Sequence, residues 1–313
     1  VTPDLITYET GFEQLSWQGA LQSLEAGHRR PKAEIADLFL GPPTATLLNR
    51  AAYIEGFGYG VKAVTVTDGN PARGLPTTQG AMLLFDTAGG ILRAVIESRL
   101  ITQVKTCADS LLGARLLARP ESQRLLIVGA GSIAECLIAA YRALFPSLTH
   151  IEIWARREEQ AQALVERAAG PGACLSVATD LARAAADADI ISSATLARTP
   201  ILCGDWIQPG THVDLIGAYK ADMREADDAL IARGRLYVDS RDTTLAHIGE
   251  LRIPLAQGLI TPSDIRGDLY DLINAEQPGR SGDDEITVFK NGGGAHLDLM
   301  IADYIARTVG TAP

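Results

Sequence analysis

The chain has 313 residues and a formal net charge of −10. That length favours two domains over one core, and that charge argues against nucleic acid or an anionic membrane as the main partner, leaving a small molecule as the better fit. Its four cysteines, Cys107, Cys136, Cys174 and Cys203, are scattered without a C-x-x-C pair, which suggests neither a disulfide framework nor a metal site and fits a reducing, cytoplasmic home.

No apolar run is long enough to span a bilayer and no charged-then-apolar leader opens the chain, so a soluble protein is expected. Residues 11–26 carry Phe12, Leu15, Ala20, Leu21 and Leu24 at helical spacing, stopped by Gly27. Past an irregular stretch at Pro42-Pro43, residues 58–98 turn β-like. Val61, Val64 and Val66 form a strand-like run ended by the turn signal Asp68-Gly69-Asn70-Pro71, and runs 81–85 and 91–96 flank Asp86-Thr87-Ala88-Gly89-Gly90 as a hairpin. A helix over 102–118 closes this region. The polar, proline-bearing Arg119-Pro120-Glu121-Ser122 then marks the domain boundary, which gives a first domain over 1–120 and a second over 121–294. A last amphipathic helix over 297–307, within 295–313, is expected to return to the first domain.

The second domain opens with a buried-strand pattern at 125–128, a Gly129-Ala130-Gly131 turn and a helical pattern over 132–145 that Pro146 stops. Gly129, Gly131 and Ala134 stand as G-x-G-x-x-A, the dinucleotide fingerprint: a tight turn, close backbone approach to a pyrophosphate, and close helix–strand packing. Backbone N–H groups at the helix start, Ser132 and Ile133 included, would hold the phosphates. Further apolar runs at 150–154, 174–177, 189–193, 212–216 and 235–238 make six strands, which predicts an α/β fold with a Rossmann-type doubly wound parallel sheet. At the end of the second strand, where an NAD-specific domain places a carboxylate, stand Ala155, Arg156 and Arg157. Guanidinium donors there suit a 2′-phosphate, so NADP(H) is the preferred cofactor, with NAD(H) as the alternative.

Several motifs follow one another in order: VKAVTV and NPARGLPT, ITQVKTCADS, VGAGSIA, SATLARTPIL, GAYKADMREADD with LYVDS, and DEITVFKNGGG. Together, from about Gly60 to the C-terminus, they resemble the ornithine cyclodeaminase and mu-crystallin family. The resemblance implies a Rossmann domain with a second, β-rich α+β domain that binds substrate and forms a homodimer, with NAD(P) between the two. It also implies an oxidoreductase acting on a small amino-acid-derived carboxylate: a cyclic imine or ketimine such as Δ1-pyrroline-2-carboxylate, with ornithine cyclodeamination, or NADPH-dependent ligand binding with little turnover, as alternatives.

Residue by residue, the resemblance places Lys62 at the reacting centre, where its other reading is a solvated strand lysine. Lys105 stands where the family usually has an arginine that grips the substrate carboxylate. A point charge on a flexible stem replaces a planar fork there, and a surface pair with Asp109 at i,i+4 is the other reading. Tyr219 stands where the cyclodeaminases carry an aspartate; a phenol is a poor base near neutral pH but donates a hydrogen bond, so imine reduction is favoured over cyclodeamination and Tyr219 joins Lys62 as a catalytic candidate. Asp222 lies nearby but off the family position. Thr195, Leu196 and Gly217 follow the fourth and fifth strands, where the family contacts nicotinamide, with loop packing as the plain alternative. Asn291 replaces the family's serine, and Gly292-Gly293-Gly294 makes that loop conformationally permissive.

Overall fold

The computed structural model describes residues 2–172 and 174–310. The chain forms two compact units: one runs to Ala108 and resumes at Gly294, and the other is Asp109–Gly293. The division falls inside the helix Ser98–Leu117, upstream of the polar Arg119–Ser122 stretch, because that helix continues unbroken through the point where the chain's contacts change partners.

The first unit is a six-stranded sheet of β1 (Asp4–Ile6), β2 (Glu34–Leu40), β3 (Ala45–Ile54), β4 (Gly58–Thr67), β5 (Thr78–Phe85) and β6 (Leu92–Glu97), in the order β1-β6-β5-β4-β3-β2. All neighbours are antiparallel except β1 with β6. The β5–β6 hairpin matches its sequence signal, and Asp86 fixes the turn by accepting from the N–H groups of Gly89 at 2.7 Å and Gly90 at 3.0 Å. β1, β2 and β3 had no readable pattern. Every residue of β2 is exposed and most of β3 is half-buried, so neither shows the in-out alternation that marks a strand.

The terminal helix Ala295–Val309 belongs to this unit and packs on β3, β4 and the helix Trp17–His28. Residues 295–306 are all buried, which is why the helix joins a core instead of lying amphipathically on a surface. Ser23 Oγ donates to the Met300 carbonyl at 2.8 Å, and the Tyr304 hydroxyl accepts from the Ser16 N–H at 2.8 Å, so the two helices are also tied by polar contacts. The helix Trp17–His28 starts later than residue 11 because Ser16 caps it, accepting from the Gly19 N–H at 3.1 Å.

The second unit is an all-parallel sheet of eight strands, against the six expected: β7 (Arg124–Val128), β8 (His150–Trp154), β9 (Cys174–Val177), β10 (Ile190–Ser193), β11 (His212–Leu215), β12 (Arg235–Val238), β13 (Ile265–Gly267) and β14 (Thr287–Lys290). The order is β13-β12-β14-β11-β10-β7-β8-β9. The chain reverses its direction of winding at β7/β10, the switch point at which such sheets bind ligands beyond their carboxyl ends. β14, last in sequence, inserts between β11 and β12 and brings Lys290 to full burial. Leu125 to Val128 are at most 2 % exposed, and Leu137, Ile138 and Tyr141 of the helix Ser132–Leu144 are at most 1 %, each contributing about 2 kcal/mol of burial.

Candidate functional site

The glycine turn after β7 has the form that a dinucleotide requires. Gly129 sits at φ +122°, and a Cβ there would lie 2.7 Å from the Ala194 carbonyl oxygen, so no other residue fits. A Cβ on Gly131 would meet nothing within 4 Å, so this exposed backbone is open to close approach. Gly131 caps the helix Ser132–Leu144 without any side-chain hydrogen bond. Ser132 is exposed, Ile133 half-buried, and Ala134 buried against the sheet. An open helix N-terminus beside a bare glycine backbone fits the diphosphate of a dinucleotide. Beyond β8, Ala155 is half-buried, while Arg156 and Arg157 are exposed and form no ion pair among the described residues.

The loops after β10 and β11 are tied to each other. A Cβ on Gly217 would lie 1.8 Å from the Thr195 carbonyl oxygen, so Gly217 is what lets the two loops cross. Glu225, fully buried, holds both: it accepts from the Ser193 hydroxyl at 2.6 Å, the Thr195 N–H and hydroxyl at 2.8 Å each, the Gly217 N–H at 2.6 Å and the Ala218 N–H at 3.3 Å. Leu196 (75 % exposed) and Tyr219 (50 %) stand out from these loops. Asp222 is exposed and forms an ion pair with Arg198.

Beneath lies a polar cluster that no local pattern announced. Lys290 Nζ donates to the carbonyls of Leu215 and Asn291, both at 2.8 Å; burial pushes its pKa down, opposed by Glu225, Glu250, Asp239 and Asp214. Burial raises Asp214 and Glu250 each to about 7. The triglycine stretch is also less free than its composition suggests, because the Asp239 carboxylate accepts from the N–H groups of Gly292 at 2.9 Å and Gly293 at 2.5 Å, and Asn291 Nδ2 donates to Ser110 Oγ at 2.9 Å.

The first unit gathers cations. Lys62 on β4 is 7 % exposed and forms an ion pair with Asp298 of the terminal helix at 2.6 Å, which rules out the solvated-lysine reading. Burial lowers its pKa, Asp298 opposes that, and the neighbouring charges of Lys105 and Arg50 lower it further. Lys105 is likewise 7 % exposed, and Asp109 is fully buried, so the pair is not a solvated helix surface. Lys105 makes no ion pair among the described residues.

Arg50, which stands opposite Lys62 in the β3–β4 register, is the cation that sequence reading missed, because β3 itself was not legible. Its guanidinium grips Asp37, with Nη2 at 2.8 Å. Asp298 was also missed, although a carboxylate inside a helix that buries twelve successive residues is itself a signal. His28 and His296 pack edge to face with centroids 5.8 Å apart, and burial holds His28 down to about 4 and His296 well below its ordinary value, so both are neutral. Among the described residues there is no cluster of metal-binding side chains, and no helix is long and apolar enough to cross a membrane.

The profile of the Ornithine cyclodeaminase/mu-crystallin family matches residues 45–311. The chain is 58 % identical, over 98 % of its length and 97 % of the relative's, to a Delta(1)-pyrroline-2-carboxylate reductase of Paracoccus denitrificans. In structure it resembles the Thermococcus litoralis Delta(1)-pyrroline-2-carboxylate reductase in complex with NADH and L-proline, with a TM-score of 0.91 at 26 % identity over 97 % of this chain and 96 % of that one. It also resembles an archaeal alanine dehydrogenase dimer with bound NAD, with a TM-score of 0.91 at 26 % identity over 98 % and 95 %. With a family match over most of its length and a relative alike end to end, the chain belongs to the ornithine cyclodeaminase/mu-crystallin family.

Proposed function

We propose that the protein is an NAD(P)H-dependent Δ1-pyrroline-2-carboxylate reductase, forming proline from the cyclic imine. The observation that carries this reading is the 58 % identity, over nearly the whole chain, to a reductase of that name. The cation cluster supplies the chemical reason: buried Lys105, which makes no ion pair among the described residues, and Arg50, opposite Lys62 in the sheet, suit a substrate carboxylate. A dinucleotide held at the fingerprint would supply the hydride for the imine carbon. Lys62, held by Asp298, gives a proton to the imine nitrogen as the C=N bond becomes a CH–NH bond. Tyr219 assists with a hydrogen bond. A carboxylate to move protons between two nitrogens, which ornithine cyclodeamination requires, is not offered by a tyrosine at position 219 or by an Asp222 paired with Arg198. The test is a panel of cyclic imino acids and open-chain amino acids read by the absorbance of NAD(P)H. Oxidation of NAD(P)H by pyrroline-2-carboxylate supports the proposal, and turnover confined to open-chain amino acids contradicts it.

Two finer expectations accompany it. Tyr219→Phe should slow imine reduction by roughly tenfold without abolishing it, as removal of one assisting hydrogen bond does; unchanged kcat would assign the ring to shaping the pocket only. For the cofactor, Arg156 beside the small Ala155 favours NADPH over NADH by about 1 to 3 kcal/mol, the range of a charge-assisted contact. Arg156→Ala should erase most of that preference in fluorescence titrations and leave NADH binding nearly unchanged. Equal affinity of the wild-type protein for both cofactors would remove the basis for the assignment.

We also propose a homodimer formed through the first unit. Edge strand β2 exposes Leu38, Phe39 and Leu40 at 53, 64 and 51 %, a long apolar edge that a monomer would leave to aggregation.

A further inference from the structure

We infer that Glu225 is a positioning residue for the nicotinamide half of the cofactor site, its single carboxylate locking the loop after β10 to the loop after β11 so that both meet the ring as one surface. The inference rests on the reading of the second unit as a dinucleotide-binding domain. In the strand order, β7, β8 and β9 form the half that carries the fingerprint and the arginines after β8. A dinucleotide lying across the switch point therefore brings its other mononucleotide over β10 and β11.

Both loops there depend on Glu225. Its Oε1 takes the Ser193 hydroxyl and both donors of Thr195, and its Oε2 takes the N–H groups of Gly217 and Ala218. Every one of these partners donates, so the position needs a group that only accepts, and a glutamine would turn an NH2 toward one loop or the other. The carboxylate is itself fixed from behind: Glu250 accepts from the N–H of Glu225 at 2.8 Å and of Ala226 at 3.0 Å. Burial pushes Glu225 up from the ordinary carboxylate range, while the charge of Lys290 and the donors hold it down. One consequence is specific. The Thr195 N–H, the Thr195 hydroxyl proton and the Gly217 N–H are committed to Glu225 and cannot be donated to a nicotinamide carboxamide, so these residues shape the ring's surroundings through the position of their backbone and through exposed Leu196.

The test compares NADH with ADP-ribose, which lacks the nicotinamide ring, by calorimetric titration of the full-length protein and its Glu225→Gln and Thr195→Val variants. Glu225→Gln should weaken NADH about tenfold while ADP-ribose stays within about twofold, and Thr195→Val, which removes one donor at nearly constant volume, should weaken NADH about threefold with the same selectivity. If Glu225→Gln does not fold, Thr195→Val decides by the same ratio. Variants that bind both ligands as the wild type does, or that lose both equally, would overturn the positioning role and leave Glu225 a support of the fold. A wild-type protein that binds neither ligand would instead remove the dinucleotide reading on which the inference stands.

Discussion

Lys62→Met should abolish imine reduction while leaving cofactor binding intact. The side chain is nearly fully buried on β4, it forms an ion pair with Asp298 at 2.6 Å, and it is the proposed proton donor to the imine nitrogen. If Lys62 is the general acid proposed above, its loss should reduce kcat/KM for pyrroline-2-carboxylate by about three orders of magnitude. Methionine keeps most of the apolar stem, so the core should tolerate the change. NADH affinity, read by fluorescence, should remain within about twofold, because the fingerprint belongs to the other unit. Retention of more than about a tenth of the wild-type kcat/KM would show that the proton comes from elsewhere.

The second large effect is expected at Asp298. It is the carboxylate that opposes the lowering of Lys62 by burial and by its cationic neighbours. Asp298→Asn removes that opposition, so Lys62 loses its proton at lower pH than in the wild type. The proposed role requires Lys62 in its protonated form, so the high-pH limb of kcat/KM should move to lower pH. Activity below that limb should change little, and the loss should grow to about tenfold for each pH unit above it. Breaking a buried pair also costs stability, up to about 3 kcal/mol, lowering the thermal midpoint; asparagine retains a hydrogen-bonding oxygen and moderates the loss. A variant with an unmoved high-pH limb would assign Asp298 to packing alone.

How far these residues could be read in advance follows from where their partners lie. The first part of the parallel sheet was legible because strand, glycine turn and helix sit within a few residues, and each position of Gly129, Gly131 and Ala134 has a local geometric reason. β14 was not, because a strand with Lys290 at its end breaks the apolar pattern, and its charge is balanced by Glu225, Glu250, Asp239 and Asp214 from distant parts of the chain. β2 and β3 were missed for a different reason: β2, at the sheet edge, is exposed throughout and β3 is mostly half-buried, so neither writes an in-out alternation. Arg50 went with them, since only the β3–β4 register sets it opposite Lys62. Lys62, Lys105 and Tyr219 were found through motif order, which reports position but not contacts. Their burial, the pairing of Lys62 with Asp298 and the exposure of Tyr219 emerge only from the fold. Glu225 lay in plain view within the DMREADD run, but its five donors come from Ser193, Thr195, Gly217 and Ala218, which no spacing rule connects to it.

The most direct measurement of the central claim is the product and stoichiometry of the wild-type reaction with pyrroline-2-carboxylate. Proline formed in equal amount to the NADPH or NADH oxidised, with no ammonia released when ornithine and NAD⁺ are supplied instead, is the result expected if the buried cations hold a carboxylate and Lys62 protonates an imine as proposed, with a tyrosine at position 219. Stoichiometric ammonia and proline from ornithine, with no oxidation of reduced cofactor by the imine, would contradict it.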